Sequence, residues 1–192
     1  MHACHEKAHA SKKRGGKGKL GGMKIIFSWV LLCLAATTFP AFAKTPGEVE
    51  VGGLLREAQM QGLSGPSKKL SAFRGKPLVI NVWASWCGPC RQEMGSLERL
   101  SRRYGGKQFE VIGISTDDYQ DRAAAFLQQS HTTFSNFIDS KLFMENMLGA
   151  DRLPLTLLVD AQGRVLGKYY GAKQWDSPEA LEIIAKAFRI KM

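Results

Sequence analysis

The feature that most constrains this chain is a pair of cysteines between a strand pattern and a helix pattern. Residues 83–90 read Trp-Ala-Ser-Trp-Cys-Gly-Pro-Cys and continue the apolar run of residues 78–83. A short run of branched apolar residues is typical of a strand buried on both faces. After Cys90, apolar residues recur every three to four positions up to residue 105, which predicts an amphipathic helix. The cysteines are therefore expected where a buried strand ends and a helix begins.

The other patterns along the chain alternate between strand and helix. Strands are predicted at residues 109–115, 134–138, 156–159 and 165–170, the last two joined by a hairpin at Asp-Ala-Gln-Gly. Helices are predicted at residues 121–129, 141–148 and 177–190, the last with Ser177 as N-cap. This order predicts an α/β fold of three layers, with a central mixed sheet flanked by helices.

The first 43 residues have the composition of a leader. Residues 1–22 are polar, basic and glycine-rich, so we interpret them as a disordered leader or as sequence upstream of a true start at Met23. Residues 23–43 run from Met-Lys through an apolar core to Ala-Phe-Ala, which is the pattern of an export signal cleaved after Ala43. An uncleaved membrane anchor is the alternative, because residues 25–43 carry no charge. Residues 44–69 are expected to be a linker and N-terminal extension, and residues 70–192 the folded domain.

The basic charge of the chain is concentrated in this leader. Residues 1–43 contain seven Lys or Arg and one Glu, a net charge of +6 of the total +10. The other 149 residues contain twenty basic and sixteen acidic residues, a net charge of +4. We therefore expect no nucleic-acid partner.

The number and spacing of the cysteines favour a catalytic role over a structural disulfide. Removal of the leader would also remove Cys4 and Cys33, which leaves only Cys87 and Cys90. A disulfide between cysteines so close in sequence closes almost no loop and contributes little stability. A metal-binding module that uses the same two sulfurs stays open as an alternative. We expect no metal, because zinc sites need four ligands and no second Cys or His pair remains after cleavage.

The position of the cysteines assigns them different roles. Unpaired N–H groups and the positive end of the helix should lower the pKa of Cys87 below its free value of about 8.5, which makes Cys87 the nucleophile. Cys90 lies one turn inward and can attack a mixed disulfide at Cys87. Gly88 permits the tight turn, Pro89 suits the first helical turn, and Trp86 is expected to pack beside the sulfur.

These motifs resemble the thioredoxin superfamily. The resemblance rests on Trp-Cys-Gly-Pro-Cys before an amphipathic helix and on Leu153-Pro154-Leu-Thr156 before a strand, and it covers about residues 70–192. The leader, the stretch NVWASWCGPCRQE and the DAQG hairpin are similar to the exported TlpA/ResA/DsbE-like thiol-disulfide reductases. The resemblance implies a thioredoxin-like fold with an extra helix-strand insertion between the second core strand and Pro154.

The resemblance also implies roles for individual residues. Pro154 matches the cis-proline that faces the cysteines and keeps metals off them, and the backbone of Leu153 would pair with a substrate strand. Glu93 matches an acid that manages the proton of the second cysteine, and it lies three residues after Cys90 on the same helix. The alternative for Glu93 is a surface glutamate. Asn81 stands where thioredoxin has a buried aspartate, so that position cannot relay protons.

The implied function is a periplasmic reductase for exported proteins that contain disulfides, with no cofactor other than the Cys87–Cys90 disulfide. Its implied partners are a membrane thiol-electron donor and a possible membrane tether, and its substrates could be apocytochrome c or metal-site assembly proteins. A disulfide-forming oxidant is the alternative with the same chemistry, although Gly-Pro between the cysteines favours reduction. The remaining polar motif, Asp117-Asp118, is interpreted as solvated or helix-capping, and Trp175 as the cover of a hydrophobic edge.

Overall fold

A computed structural model describes residues 46–192, and the predicted leader and export signal lie outside these residues. The helices are α1 Gly88–Tyr104, α2 Gln120–Gln129, α3 Phe143–Leu148 and α4 Pro178–Phe188. The strands are β1 Gln59–Gly62, β2 Lys68–Lys69, β3 Leu78–Trp83, β4 Glu110–Ser115, β5 Ser135–Ile138, β6 Leu155–Val159 and β7 Val165–Tyr170. None of the described helices combines the length and apolar character that crossing a membrane requires.

The seven strands form one mixed sheet in the order β2-β1-β5-β4-β3-β6-β7. Strands β3, β4 and β5 are parallel, whereas β6 and β7 on one side and β1 and β2 on the other are antiparallel to their neighbours. All six residues of β3 are buried, as its continuous apolar run predicts. The cysteine motif therefore begins at the end of the most enclosed part of the sheet.

Two apolar clusters fill the space on the two faces of the sheet. One contains the buried residues of α1, α2 and α4, together with Val79, Trp83 and Leu158. The other contains those of α3 and of a short 3-10 helix at Leu70–Phe73, with Ile80 and Val82. Successive residues of β3 contribute to opposite clusters, as the side-chain alternation of a strand requires. The predicted three-layer thioredoxin-like fold is confirmed.

The sheet extends further toward the N-terminus than the predicted domain start at residue 70. The first half of β1 pairs with β2 and its second half pairs with β5, so β1 joins the hairpin to the rest of the sheet. The turn between β1 and β2 requires glycine at position 62, because a Cβ there would lie 1.9 Å from the carbonyl oxygen of Gly65. Further upstream, the Val49 N–H donates to the Met147 carbonyl at 2.9 Å. From residue 49 onward, the predicted linker and extension thus pack on the domain.

Candidate active site

The two cysteines lie at the first turn of α1, where the sequence pattern predicted them. Cys87 is the N-cap residue, Pro89 lies in the first turn, and the Cys90 N–H donates to the Cys87 Sγ at 3.2 Å. The cysteines form a disulfide with their Cα atoms 5.3 Å apart. Cys87 is 5% exposed and Cys90 is fully buried. An attacking or attacked sulfur of another protein can therefore reach Cys87 and not Cys90.

A cleft of about 620 Å³ opens beside Cys87. Its walls come from the cysteine loop, the end of β4, α3 and the segment before β6, and the lining residues are Trp86, Cys87, Gly88, Pro89, Thr116, Asp118, Leu142, Glu145, Ala150, Asp151 and Leu153. Trp86, which was predicted to pack beside the sulfur, lines the same cleft as Cys87 and is 71% exposed. An extended segment of another polypeptide would have both apolar and acidic groups to contact here.

The segment before β6 brings the predicted proline to the same end of the sheet. The Leu153–Pro154 peptide bond is cis, as the resemblance implies. Leu153 is half-buried and lines the cleft, while Pro154 is buried and its carbonyl accepts from the Gly171 N–H at 2.9 Å. Leu153 is thus the residue of this pair that borders the cleft beside Cys87.

Glu93 is fully buried, so the alternative of a surface glutamate is wrong. Its Oε1 accepts from the Asn81 side-chain amide at 2.7 Å. Its Oε2 accepts from the Lys173 backbone N–H and from the Trp175 indole N–H, both at 3.1 Å. Burial raises the pKa of Glu93 to about 7, against the opposing effect of these three hydrogen bonds. A carboxyl with this pKa exchanges protons readily at neutral pH.

Asn81 links Glu93 to the neighbouring strand β6. It pairs with Thr156 across β3 and β6, and its amide nitrogen donates to Thr156 Oγ1 at 3.0 Å as well as to Glu93. Its carbonyl oxygen Oδ1 is buried and has no hydrogen-bond partner. A buried acceptor without a partner costs free energy, so this oxygen is available for a donor that appears when the site changes protonation.

Sequence reasoning missed two residues of the site. Trp175 does not cover an edge: it is fully buried and donates to Glu93, which lies 82 positions earlier. Asp117 is 2% exposed and therefore not solvated, whereas its neighbour Asp118 is exposed. No local pattern in the sequence distinguishes Asp117 from Asp118, because both follow the end of β4.

Asp117 joins the cysteine loop to the end of β4. Its Oδ2 accepts from the Ser85 backbone N–H at 2.9 Å and from the Ser115 hydroxyl at 2.7 Å. Its Oδ1 accepts from the Ser85 hydroxyl at 2.6 Å. The loop that presents Cys87 is thus held by a buried carboxylate just after the end of β4.

Acidic residues also dominate the cleft itself. Asp118, Glu145 and Asp151 line it, and no lysine or arginine does. Burial, and secondly the charge of Asp139, raise the pKa of Glu145. Asp139 caps α3 by accepting from the Phe143 and Glu145 N–H groups at 3.0 and 2.8 Å. In residues 46–192, no three or more His, Cys, Asp or Glu side chains are grouped to hold a metal ion, and Cys4 lies outside this range.

Known proteins that are similar to this chain also have thiol-disulfide chemistry, in agreement with the geometry of the site. The profile of the Redoxin family matches residues 35–184. The thiol-disulfide oxidoreductase ResA of Geobacillus thermodenitrificans is 28% identical over 141 residues, which cover 73% of this chain and 81% of ResA. The thioredoxin-like protein YneN of Bacillus subtilis is 28% identical over 140 residues, or 69% of this chain and 79% of YneN.

Solved structures give the same result. The crystal structure of a thiol:disulfide interchange protein of the DsbE type from Chlorobium tepidum superposes with a TM-score of 0.67 and 28% identity. The match covers 73% of this chain and 99% of that one. With its disulfide at the start of α1, this chain belongs to the Redoxin family and is a thioredoxin-like thiol-disulfide oxidoreductase of the TlpA/ResA/DsbE-like group.

Proposed function

We propose that the protein is a periplasmic reductase of disulfides in exported proteins. The observation that carries this proposal is the disulfide with one sulfur at a cleft and the other fully buried. The Cys87 thiolate attacks a substrate disulfide, which forms a mixed disulfide and releases one substrate thiolate. Cys90 then attacks the Cys87 sulfur, which releases the second substrate thiolate and closes the Cys87–Cys90 disulfide. The substrate gains two electrons and the enzyme loses two.

Glu93 takes the proton that Cys90 must lose before it attacks. The carboxyl lies one turn after Cys90 on α1, and its pKa of about 7 lets it accept a proton at neutral pH and return it later. Once protonated, Glu93 becomes a donor, and Asn81 Oδ1 is a nearby buried acceptor without a partner. Rotation of the Asn81 amide would bring that oxygen to the new proton, so Asn81 stabilises the neutral form.

The location and the partners follow from the leader and the resemblance. An export signal at residues 23–43 would place the domain outside the cytoplasm, either free after cleavage or tethered to the membrane. The oxidised pair must then be reduced again by a thiol-electron donor in the membrane. The substrates that the resemblance suggests are apocytochrome c before haem attachment and metal-site assembly proteins, each with cysteines that must be kept reduced.

The reduction potential of the Cys87/Cys90 pair tests the proposal. The purified full-length chain is equilibrated with dithiol buffers, and its redox state is read by thiol alkylation and mass spectrometry, with Cys90→Ser as the control that cannot form the disulfide. A potential near or below about −230 mV supports a reductase fed by an electron donor. A potential near about −120 mV would contradict the proposal and make the protein a disulfide-forming oxidant.

A further inference from the structure

Asp117 is a buried carboxylate that the mechanism above does not use. It is 2% exposed, and three donors from Ser85 and Ser115 face its two oxygens. Among the ion pairs of the described residues, none involves Asp117. Hydrogen-bond donors satisfy the two oxygens of a buried carboxylate without supplying a compensating positive charge.

Asp117 is bound to the loop that carries the nucleophilic sulfur. Asp117 is hydrogen-bonded to Ser85, and Ser85 precedes Cys87 by two residues, so the Cα atoms of Ser85 and Cys87 are at most about 7.6 Å apart. The loop is compact, because the Cys87 N–H donates to the Ala84 carbonyl at 3.1 Å. Asp117 is therefore held to the same compact turn as Cys87, and charges interact more strongly in the protein interior than in water.

We propose that Asp117 is a positioning residue that makes the Cys87/Cys90 pair more strongly reducing. Its fixed charge opposes the Cys87 thiolate, which is the form that the helix N-terminus stabilises. Reduction of the disulfide takes up two electrons and two protons and yields two thiols, and the Cys87 thiol then releases a proton to become the thiolate. Destabilising that thiolate therefore disfavours the reduced state. The equilibrium shifts toward the disulfide, and the pair gives up its electrons more readily. This inference rests on the proposed reductase function.

The other charged groups around Cys87 differ from Asp117 in exposure or in charge. Asp118 and Asp151 are exposed and Glu145 is half-buried, so water and salt screen their charges. Arg91, in the first turn of α1, is exposed and directs its guanidinium over the Phe126 ring at 5.4 Å. Glu93 is buried near Cys90, but burial raises its pKa to about 7, so it is uncharged for part of the population. Asp117 is therefore the group whose effect on Cys87 should persist at high salt.

The test compares Asp117→Asn with two matched controls. Asp118→Asn removes an exposed charge one residue away, and Ser85→Ala removes one donor while keeping the Asp117 charge. The measured quantities are the thiol pKa of Cys87 in the reduced protein, from thiolate absorbance, and the reduction potential. We expect Asp117→Asn to lower the Cys87 pKa by about one unit. The dithiol/disulfide equilibrium should shift about tenfold toward the reduced form, or about 30 mV.

The controls show whether a shift in the Cys87 pKa comes from the lost charge of Asp117 or from a changed conformation of the loop. Asp118→Asn is expected to shift both quantities less, and its effect should shrink in 1 M salt while that of Asp117→Asn persists. An unchanged Cys87 pKa in Asp117→Asn, or an equal shift in Ser85→Ala, would overturn the proposal. If Asp117→Asn does not fold, Asp117→Ser, which keeps a hydroxyl at the site, replaces it under the same criteria. An oxidising potential in the unmodified protein would refute the reductase function, while the shift between variants still tests the role of Asp117.

Discussion

Two buried carboxylates lie near the same disulfide and are held in different ways. Glu93 accepts only from N–H groups, those of Asn81, Lys173 and Trp175, and burial raises its pKa to about 7. Asp117 accepts from two hydroxyl groups and one N–H at the end of a loop. The comparison teaches that burial alone does not define a role. The two environments are the basis of two different proposals, proton transfer by Glu93 and an electrostatic effect of Asp117 on Cys87.

The largest expected effect is the difference in activity between the Cys87→Ser and Cys90→Ser variants. Cys87→Ser should abolish reduction of protein disulfides, such as those of insulin, because Cys87 is the sulfur that reaches the cleft. Cys90→Ser should still attack, but it should accumulate as a mixed disulfide because no second thiol resolves it. Mass spectrometry detects that adduct. Multiple turnovers by Cys90→Ser at the rate of the unmodified protein would contradict the division of roles.

The next effect tests whether Glu93 carries a proton. Glu93→Gln should slow turnover at pH 7 by roughly 10²-fold or more, which is the usual contribution of a general acid or base. It should also remove an inflection near pH 7 from the pH–rate profile. The matched control is Glu98→Gln on the same helix, where hydrogen bonds from Thr133 and then Arg102 leave the pKa lowered in spite of desolvation. An inflection that survives in Glu93→Gln would assign the proton to another group.

Glu93→Gln should also change how the free energy of unfolding depends on pH. The pKa of Glu93 is raised from 4.5 to about 7 on folding, so between these values the folded state binds a proton that the unfolded state has released. The free energy of unfolding should therefore fall by roughly 3 kcal/mol as the pH rises from about 4.5 to 7. Urea titrations at pH 5 and 8 should show this loss in the unmodified protein and not in Glu93→Gln. An equal loss in both proteins would show that Glu93 does not cause it.

The smallest effect concerns the rim of the cleft. Trp86→Ala should change the free energy of unfolding by less than about 0.5 kcal/mol, because the side chain is 71% exposed. It should lower kcat/KM for a protein substrate by about tenfold, since tryptophan is enriched among the interface residues whose truncation costs more than about 1 kcal/mol. Reduction of a small disulfide such as oxidised glutathione serves as the control. Equal losses for both substrates would place Trp86 in the chemistry instead of in substrate binding.

The elements that carry the cysteines could be predicted because their signals are local. The apolar run of β3 and the three-to-four repeat of α1 are each readable within a few residues. β1 lies in the segment that was predicted to be a linker and N-terminal extension. It is four residues long, and its partner β5 lies more than seventy positions later in the chain. A short strand that depends on a distant neighbour leaves little pattern in its own residues.

The side chains that surround Glu93 and Asp117 could not be predicted from the sequence, because most of them come from distant parts of the chain. Position and resemblance pointed to Glu93, but its partners Lys173 and Trp175 follow some eighty residues later. Asp117 and Asp118 are identical in sequence terms, yet one is buried and the other exposed. Only the fold distinguishes them, because it turns one side chain toward the loop of Ser85. Charge and pKa at this site are therefore properties of the tertiary structure.

The pairing of β1 with β5 has a practical consequence for recombinant expression. A shortened protein that starts at residue 70 would lack β1 and leave the N–H and C=O groups of β5 unpaired along one side. Such an open edge invites strands of other molecules to pair with it, and inclusion bodies are a frequent result. Expression vectors for this domain should therefore begin upstream of residue 49, so that the native hairpin covers β5 before a neighbouring molecule does.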